Sequence, residues 1–583
     1  AEAEEAARRG RFAAGFVAYD AAPAFDPAFR IPAAARARHE RSAQDPAALP
    51  LAWFGIFAEA VAAPPLGTGA PEARAARPGT ATDWECDSDA AAHAAGVAAI
   101  RDAIAAGDAY LVNHTTRFRR RWHRGDDAAE LYRRLVASYG SGYHAFFETD
   151  DWAVVCGSPE LFFEHSCGLL TTRPMKGTAP RGRWAAEDSC LGDELQTSPK
   201  ERAENVMVVD LLRNDLGRIA VTGSVDAGPL WSLEQHPTVW QLTSTVTART
   251  PADVGLPEVF GALFPCASVT GAPKISAMAV IADLEPSPRG LYCGAVGLVE
   301  PLDGTARSGR QPRSRFAVAI RTAVVDKVHS LAEYGSGGGV TLDSAEAHEW
   351  AETRLKAGAL VGPAAPGLAP GEGLLETMAY DPEVRGGAVR HLHDHLGRLS
   401  ASARYFGLAV PSEVEELVAK SVAGLRSPAR VRLLLRSGGT VEIQTSPMSA
   451  AAPPEPLRLC VNLQPVLSTD VSLFHKTTDR RRYDERARRH PGADDVVLVN
   501  ERLEVTETTR ASLAVQLAGR WCTPPLDCGL LPGVERARLL AEGRLVERVV
   551  GVGDLRGAVA VAVLSSLRGW QPALLLTHCS CRV

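Results

Sequence analysis

Glu160 and Lys176 lie in the stretch SPELFFEHSCGLLTTRPMKGT, residues 158–178. A carboxyl that holds and releases a proton and an amine that attacks carbon are the two groups a substitution reaction needs. The apolar run Leu161-Phe162-Phe163 and the run 169–172 predict paired strands, with His165-Ser166-Cys167-Gly168 as their turn. Such a hairpin brings both groups to one place. Partial burial behind Pro174-Met175 lowers an amine's pKa, which makes Lys176 a candidate nucleophile as well as a candidate surface lysine. Gly177 lets backbone approach a ligand closely.

Two further groups have chemistry in their spacing. Glu201 and Glu204 stand at i and i+3 of a predicted helix over 199–216, and Glu349 and Glu352 repeat that spacing on a predicted helix over 344–360. Such pairs ordinarily form a solvated face. These two lie beside Val206-Met207-Val208-Val209 and beside the small-residue stretch Gly337-Gly338-Gly339. Four carboxylates converging from two helices suit Mg²⁺, which takes one or two directly and keeps several waters. The run Ser268-Val269-Thr270-Gly271-Ala272-Pro273-Lys274 leads into a helix and offers an anion cradle. Arg321, after a predicted strand over 316–320, offers a two-pronged clamp for a carboxylate. Gly335 to Gly339 offers a nest of backbone N–H groups. Each alone reads as a tight turn; together they point to a small, multiply anionic substrate bound with a metal.

The elements that must position these groups belong to a long chain. Its 583 residues predict about three or four folding units. Hydrophobic residues at 46% and charged residues at 23% are the balance of a soluble globular protein. A helix is predicted over 91–106, stopped by Gly107-Asp108, with a strand over 109–113. The Pro/Gly/Ala stretch 361–373, VGPAAPGLAPGEG, reads as a linker between domains 1–360 and 374–583. Residues 63–78 read as a surface loop, and no internal repeat is visible. A net charge of -6 argues against a nucleic-acid partner held through phosphates. No apolar run approaches the roughly 18 residues of a membrane span and no signal-peptide pattern begins the chain, so the expected location is the cytoplasm, with no membrane partner. The 11 cysteines are scattered without a CxxC pair, which predicts reduced thiols. Cys579 and Cys581 beside His578 read either as a metal trio or as a frayed tail. The chain begins at Ala1, so its native start is expected upstream.

Several blocks occur in one order: TTRPMKGTAPRG, SPKERAENVMVVDLLRNDLGR, FPCASVTGAPKISAM, LEPSPRGLYCGAVG, FAVAIRTA and YGSGGGVTLDSAEAHEWAETRLKA. Through them residues 15–357 resemble the chorismate-utilising enzymes, in particular the aminodeoxychorismate synthase component I branch. Relatives that form anthranilate carry alanine at the position of Lys176. The resemblance implies that Lys176 attacks C2 of chorismate while Glu160 protonates the departing C4 hydroxyl, and that ammonia then adds at C4 and expels the lysine. It implies that Glu204 and Glu352 bind Mg²⁺ directly, with Glu201 and Glu349 behind them through water. Thr270, Tyr292, Arg321, Gly338, Gly339 and Lys356 would hold the substrate's carboxylates. Two features depart from the family: Gln241 stands where many relatives have histidine, and the basic segment 301–314 reads as a surface insertion. No cysteine has the glycine-flanked setting of a glutaminase nucleophile, so the resemblance implies a separate glutamine amidotransferase subunit as ammonia source.

Residues 373–571 resemble fold type IV pyridoxal-phosphate enzymes, most closely the aminodeoxychorismate lyases. The blocks are LLETMAY, HLHDHLGRLSASARYFG, FHKTTDRRRYD, LVNERLEVTETTRASLAV and TPPLDCGLLPGVERARLL. Without the resemblance Lys476 reads as one cation in a basic loop; with it, Lys476 is the lysine that bonds pyridoxal 5'-phosphate. Arg398 and the turn Gly533-Val534-Glu535 match the phosphate-binding positions, and Glu507 matches the acid that faces the pyridine nitrogen. Ser512 and Ser565-Ser566 stand where relatives commonly have asparagine. The expected fold class is therefore a two-part α+β chain, an α/β sandwich like anthranilate synthase component I followed by a fold type IV aminotransferase-like α/β domain, with homodimers through the second part. The expected function is two-step synthesis of 4-aminobenzoate for folate. Two alternatives stand beside it: a synthase carrying a non-catalytic second part, and an anthranilate- or isochorismate-type synthase fused to an amino-acid aminotransferase.

Overall fold

The computed structural model describes residues 1–42, 48–62, 83–139, 142–301, 312–361, 372–384, 387–448 and 456–576. The readings made for 63–78, for most of 301–314, for most of the linker 361–373, and for His578, Cys579 and Cys581 lie outside the described residues. The chain divides into two compact units, 1–181 with 191–365, and 182–190 with 366–583. No described helix is long and apolar enough to cross a membrane.

In the first unit, period-two apolar runs pair into two large antiparallel sheets. One has eight strands and places Leu161–Ser166 between Leu169–Arg173 and Arg313–Val318. Its core is a cluster of aromatic rings, with Phe163 5.2 Å from Phe316 and 5.4 Å from Phe260. The other sheet is centred on Leu111–Arg121, which pairs along most of its length with Leu331–Val340.

The hairpin forms with a tighter turn than its sequence suggests. His165 and Ser166 stay in the strand, and only Cys167 and Gly168 connect, at φ 53° and 73°. Two left-handed residues in a two-residue loop match the twist of the flanking strands. After Pro174 a separate strand, Met175–Pro180, leaves the hairpin and pairs with Val239–Thr243. This strand carries Lys176.

Both glutamate helices are aimed by their apolar stripes. Pro199–Gly217 starts with proline in its first turn and with Ser198 accepting from the Glu201 amide. It buries Val208, Val209, Leu212 and Leu216, each worth roughly 1.5–3 kcal/mol. Glu204 lies one turn before Val208 on the same stripe, so packing the apolar end turns Glu204 inward. Val206 and Met207 are exposed. On Glu346–Val361 the buried stripe is Glu349, Thr353, Ala357 and Leu360.

Other expectations shift. The predicted 91–106 helix runs Ala90–Ala105, and the predicted 109–113 strand extends as Leu111–Arg121. Gly335 to Gly339 form no nest: they lie in the strand Leu331–Val340, registered from Gly335 against Arg117 to Gly339 against Asn113. Pairing on its other side, with Thr322–Asp326, stops at Tyr334, so the glycine run is a strand edge. The predicted 316–320 strand ends at Val318, and Arg321 sits at φ 51° before the next strand.

In the second unit, Gly373–Asp381, Ala429–Arg436 and Val441–Pro447 form the body of a four-stranded antiparallel sheet. An eight-stranded mixed sheet is built on Leu457–Val466, which runs parallel to both Asp495–Asn500 and Gly569–Leu575. Cys460 in this sheet is disulfide-bonded, against the expectation of reduced thiols throughout; no spacing signature in the sequence marks it.

Candidate functional site

In the first unit a narrow cleft of ≈ 80 Å³ collects every first-part candidate except Thr270 and Gly338. Gly338 lies just behind the lining, where a Cβ would stand 3.2 Å from Glu349 Oε2. Thr270 is fully buried and its hydroxyl donates to the Cys266 carbonyl at 2.8 Å. Ser268, two residues before it, lines the cleft. Lys274 is also withdrawn from the expected cradle, because it pairs with Asp215 at 2.9 Å and donates to the Leu263 carbonyl.

Lys176 Nζ stands 3.4 Å from Glu204 Oε2. A Cβ on Gly339 would lie 2.1 Å from that nitrogen, so only glycine leaves the amine its place. Gly177, at φ 103°, similarly leaves room for Glu201 Oε2 and Leu242. The expected lowering of the Lys176 pKa is overturned. Burial does pull it down, but Glu204, Glu352, Glu349 and Glu201 outweigh that pull and hold the amine above its ordinary value.

Glu160 behaves in the opposite sense. Burial pushes its carboxyl up to about 7, against the downward pull of the Ser268 hydroxyl, which donates to Oε1 at 2.5 Å, and of Lys176. A carboxyl so placed carries a proton near neutrality and fits a general acid.

Two of the four glutamates, Glu201 and Glu349, are poorly compensated. Burial and the charges of Glu204 and Glu352 raise Glu201, and burial and Glu352 raise Glu349. Burial also works against Glu352, but Lys356 at 2.7 Å draws it down to about 2. Glu349 Oε1 accepts from Ser344 at 2.7 Å, while its buried Oε2 has no hydrogen-bond partner. An all-carboxylate set with an orphaned oxygen fits a hard divalent cation. Among the described residues, one trio of such ligand atoms lies within 4.8 Å of one another, from His348, Glu349 and Glu352; Glu201 and Glu204 line the cleft from the other helix. Tyr292 and Arg321 also line it, and Arg321 donates to the Lys356 carbonyl. Gln241 Nε2 donates to Thr178 at 2.9 Å.

Sequence reasoning missed the supports. Arg289, fully buried, pairs with Glu285 at 2.8 Å and donates to the carbonyls of Val269 and Asn113, which pins the loop carrying Ser268. Both residues were visible at i and i+4 in LEPSPRGLYCGAVG. Asn205 donates to the Lys176 carbonyl at 3.3 Å and accepts from Ser244, and this had no signal.

The second unit holds a wider cleft of ≈ 420 Å³ lined by Lys476, Arg398, Glu507, Val534 and Glu535. All the second-part candidates therefore meet. Burial, then Arg398, lowers Lys476 to about 8. Burial raises Glu507 to about 7, although it accepts from the Tyr483 hydroxyl at 2.9 Å. Arg398 is held by Glu376 through two bonds of 2.8 and 2.6 Å, and Glu376 also takes His395 Nδ1 at 2.6 Å. Burial opposes ionisation of Glu376, but Arg398 and His395 bring it to about 2. This buried support was missed, although all three residues lie in the blocks LLETMAY and HLHDHLGR. Ser512 Oγ lies 2.5 Å from where a Cβ of Gly533 would be, against the start of helix Val534–Ala541. A lowered amine, a fixed guanidinium, a helix N-terminus and a buried acid fit pyridoxal phosphate.

Residues 1–362 match the family model of chorismate binding enzymes, and residues 373–576 that of amino-transferase class IV. Aminodeoxychorismate synthase component 1 of Klebsiella aerogenes is 40% identical over 247 residues, 42% of this chain and 52% of that protein. The chain spans about half the length of the curated relatives it matches. A Mesorhizobium loti structure named for amino-acid aminotransferase activity is 36% identical, covers 35% of this chain and 100% of that one, and has a TM-score of 0.33. A Legionella pneumophila structure named for 4-amino-4-deoxychorismate lyase activity is 22% identical, covers 37% of this chain and 90% of that one, and has a TM-score of 0.32.

Proposed function

The chain belongs to the chorismate-binding enzymes and carries a class IV aminotransferase domain after that part, and on this premise we propose that it converts chorismate to 4-aminobenzoate in two steps, one in each part. The product enters folate synthesis. One arrangement carries the reading: an amine and a near-neutral acid, Lys176 and Glu160, line one small cleft with four glutamates from two helices.

In the first step Lys176 Nζ, once its proton has passed to solvent, bonds to C2 of chorismate as the C4–O bond breaks, and Glu160 gives its proton to the departing hydroxyl. Ammonia, supplied by a separate glutaminase subunit, then bonds to C4 and the bond to Lys176 breaks. Ser268 keeps Glu160 oriented through its 2.5 Å hydrogen bond. Arg321 and Lys356 are the cations offered to the substrate's carboxylates. Glu204 and Glu352, with Glu201 and Glu349 behind them, would hold Mg²⁺. When bound it would neutralise a substrate carboxylate and part of the glutamate charge around Lys176.

In the second step pyruvate leaves 4-amino-4-deoxychorismate as the ring becomes aromatic. Arg398, braced by Glu376, and the turn at Gly533 would hold the cofactor's phosphate, and Glu507 its pyridine nitrogen. When bound, pyridoxal phosphate would supply an electron sink. Lys476, with a pKa near 8, is suited to take the C4 proton and pass it on.

The test is the product of the purified chain incubated with chorismate, Mg²⁺, ammonium and pyridoxal phosphate, separated by chromatography with mass detection. 4-Aminobenzoate and pyruvate are expected. Aminodeoxychorismate alone would make the second part a non-catalytic module, and 2-aminobenzoate or isochorismate would overturn the first step.

A further inference from the structure

The second cleft has two guanidinium groups that the cofactor positions leave unused. Five acids line it, and each has a partner. Asp479 pairs with Arg481 at 2.7 Å, Asp494 with Arg458 at 3.0 Å and Glu535 with Arg538 at 2.8 Å. Asp495 accepts from the hydroxyls of Thr508 and Thr509 at 2.7 and 2.5 Å, and Glu507 accepts from Tyr483. Among the lining cations, Arg398 is bound by Glu376, and Arg480 donates to the Thr509 carbonyl at 2.6 Å.

Two lining guanidinium groups differ from these. Arg510 and Arg568 are exposed at the cleft, and neither side chain makes an ion pair or hydrogen bond among the described residues. They come from two separate strand ends. Arg510 lies two residues after Thr508, where Val505–Thr508 ends, and Arg568 lies in the turn between Ala560–Ser565 and Gly569–Leu575, its amide fixed by Ser565. A guanidinium presents a planar fork that matches a carboxylate, and two of them at one cleft match two carboxylates.

From this placement we infer that Arg510 and Arg568 form a dicarboxylate-recognition rim, which selects dianionic amines over amino acids bearing one carboxylate. The inference rests on the proposed second step and deepens it, because 4-amino-4-deoxychorismate carries one carboxylate on its ring and one on its enolpyruvyl arm. Each arginine is a specificity-determining residue and moves no proton.

The experiment uses the full chain loaded with pyridoxal phosphate, titrated with 3-(1-carboxyvinyloxy)benzoate, a dianion without an amine, and with benzoate. Binding is followed through the absorption of the bound cofactor, which reports this cleft alone. The dianion is expected to bind about tenfold tighter or more than benzoate at low salt, and added salt should weaken it. Arg510→Gln and Arg568→Gln should each weaken the dianion, and one of the two, the partner of the ring carboxylate, should weaken benzoate as well, while the other removes most of the preference. Arg510→Lys, which keeps the charge and loses the fork, should fall between. Equal affinities for the two probes, or a preference untouched in both glutamine variants, would overturn the rim. Pyruvate release from supplied aminodeoxychorismate is a separate readout. If the wild-type chain releases none while the arginine-dependent preference persists, the rim stands and the lyase step falls.

Discussion

The two clefts each hold a lysine largely withdrawn from water, and the two amines are driven in opposite directions. Burial lowers the pKa of both. Around Lys176 four glutamates reverse that effect, while on Lys476 the largest charge effect is that of Arg398, which adds to burial. Desolvation therefore says only that a charge is costly, and the sign of the neighbours decides whether the proton stays. The first cleft, ≈ 80 Å³, gathers five glutamates about its lysine. The second, ≈ 420 Å³, has four arginines in its lining.

The strongest way to break this comparison is to remove each lysine in turn. Lys176→Ala should cut aminodeoxychorismate formation at least about a thousandfold while pyruvate release from supplied intermediate persists, and Lys476→Ala should do the reverse. Chromatography with mass detection reads both, and loss of both activities in either variant would mean that the parts do not act independently. Next in size, Glu160→Gln should slow amination by about 10²–10⁴.

A buried charge can be tested for support alone. Glu376→Gln leaves Arg398 buried beside a neutral amide and should cost the second part about 3–5 kcal/mol in urea unfolding, with weakened cofactor binding. In the acidic cleft, Glu201→Gln and Glu349→Gln should weaken Mg²⁺ affinity by about 10–100-fold, read by titration calorimetry, and Glu204→Gln and Glu352→Gln by more. A larger loss from Glu349 than from Glu204 would shift the metal towards the His348 trio.

The smallest effect is a shift in a pH profile. Glu160, raised to about 7, is protonated below that pH and ionised above it, so amination should fall as pH rises through about 7. Ser268→Ala removes a hydrogen bond that lowers this pKa and should move the falling limb upward by up to about one unit, the worth of one hydrogen bond. The same raised pKa bears on stability. The folded chain holds a proton there that the unfolded chain loses above its ordinary value near 4.5, so this contribution is present below that pH and is lost as pH rises through about 7.

The hairpin and both glutamate helices were legible because their signals are local: an apolar run, a turn, an i, i+3 spacing. Less was legible where a segment's role depends on what pairs with it. Gly335 to Gly339 suggest a nest by composition and form a strand edge because Asn113 to Arg117 pair with them. Thr270 and Ser268 are equally plausible ligands in sequence. Only the fold turns one toward the Cys266 carbonyl and the other toward Glu160. Glu376 and Arg289 stood in plain view in their blocks, without any sign that they were supports.

The sequence by itself determined which reactive groups exist, the elements that carry them and the two-part order of the chain. The tertiary structure decided their electrostatic state and their company, because desolvation and Coulomb interaction depend on distance through space. Lys176, Glu204 and Glu349 are far apart along the chain, and only folding puts them in one cleft, where their charges set whether the amine keeps its proton.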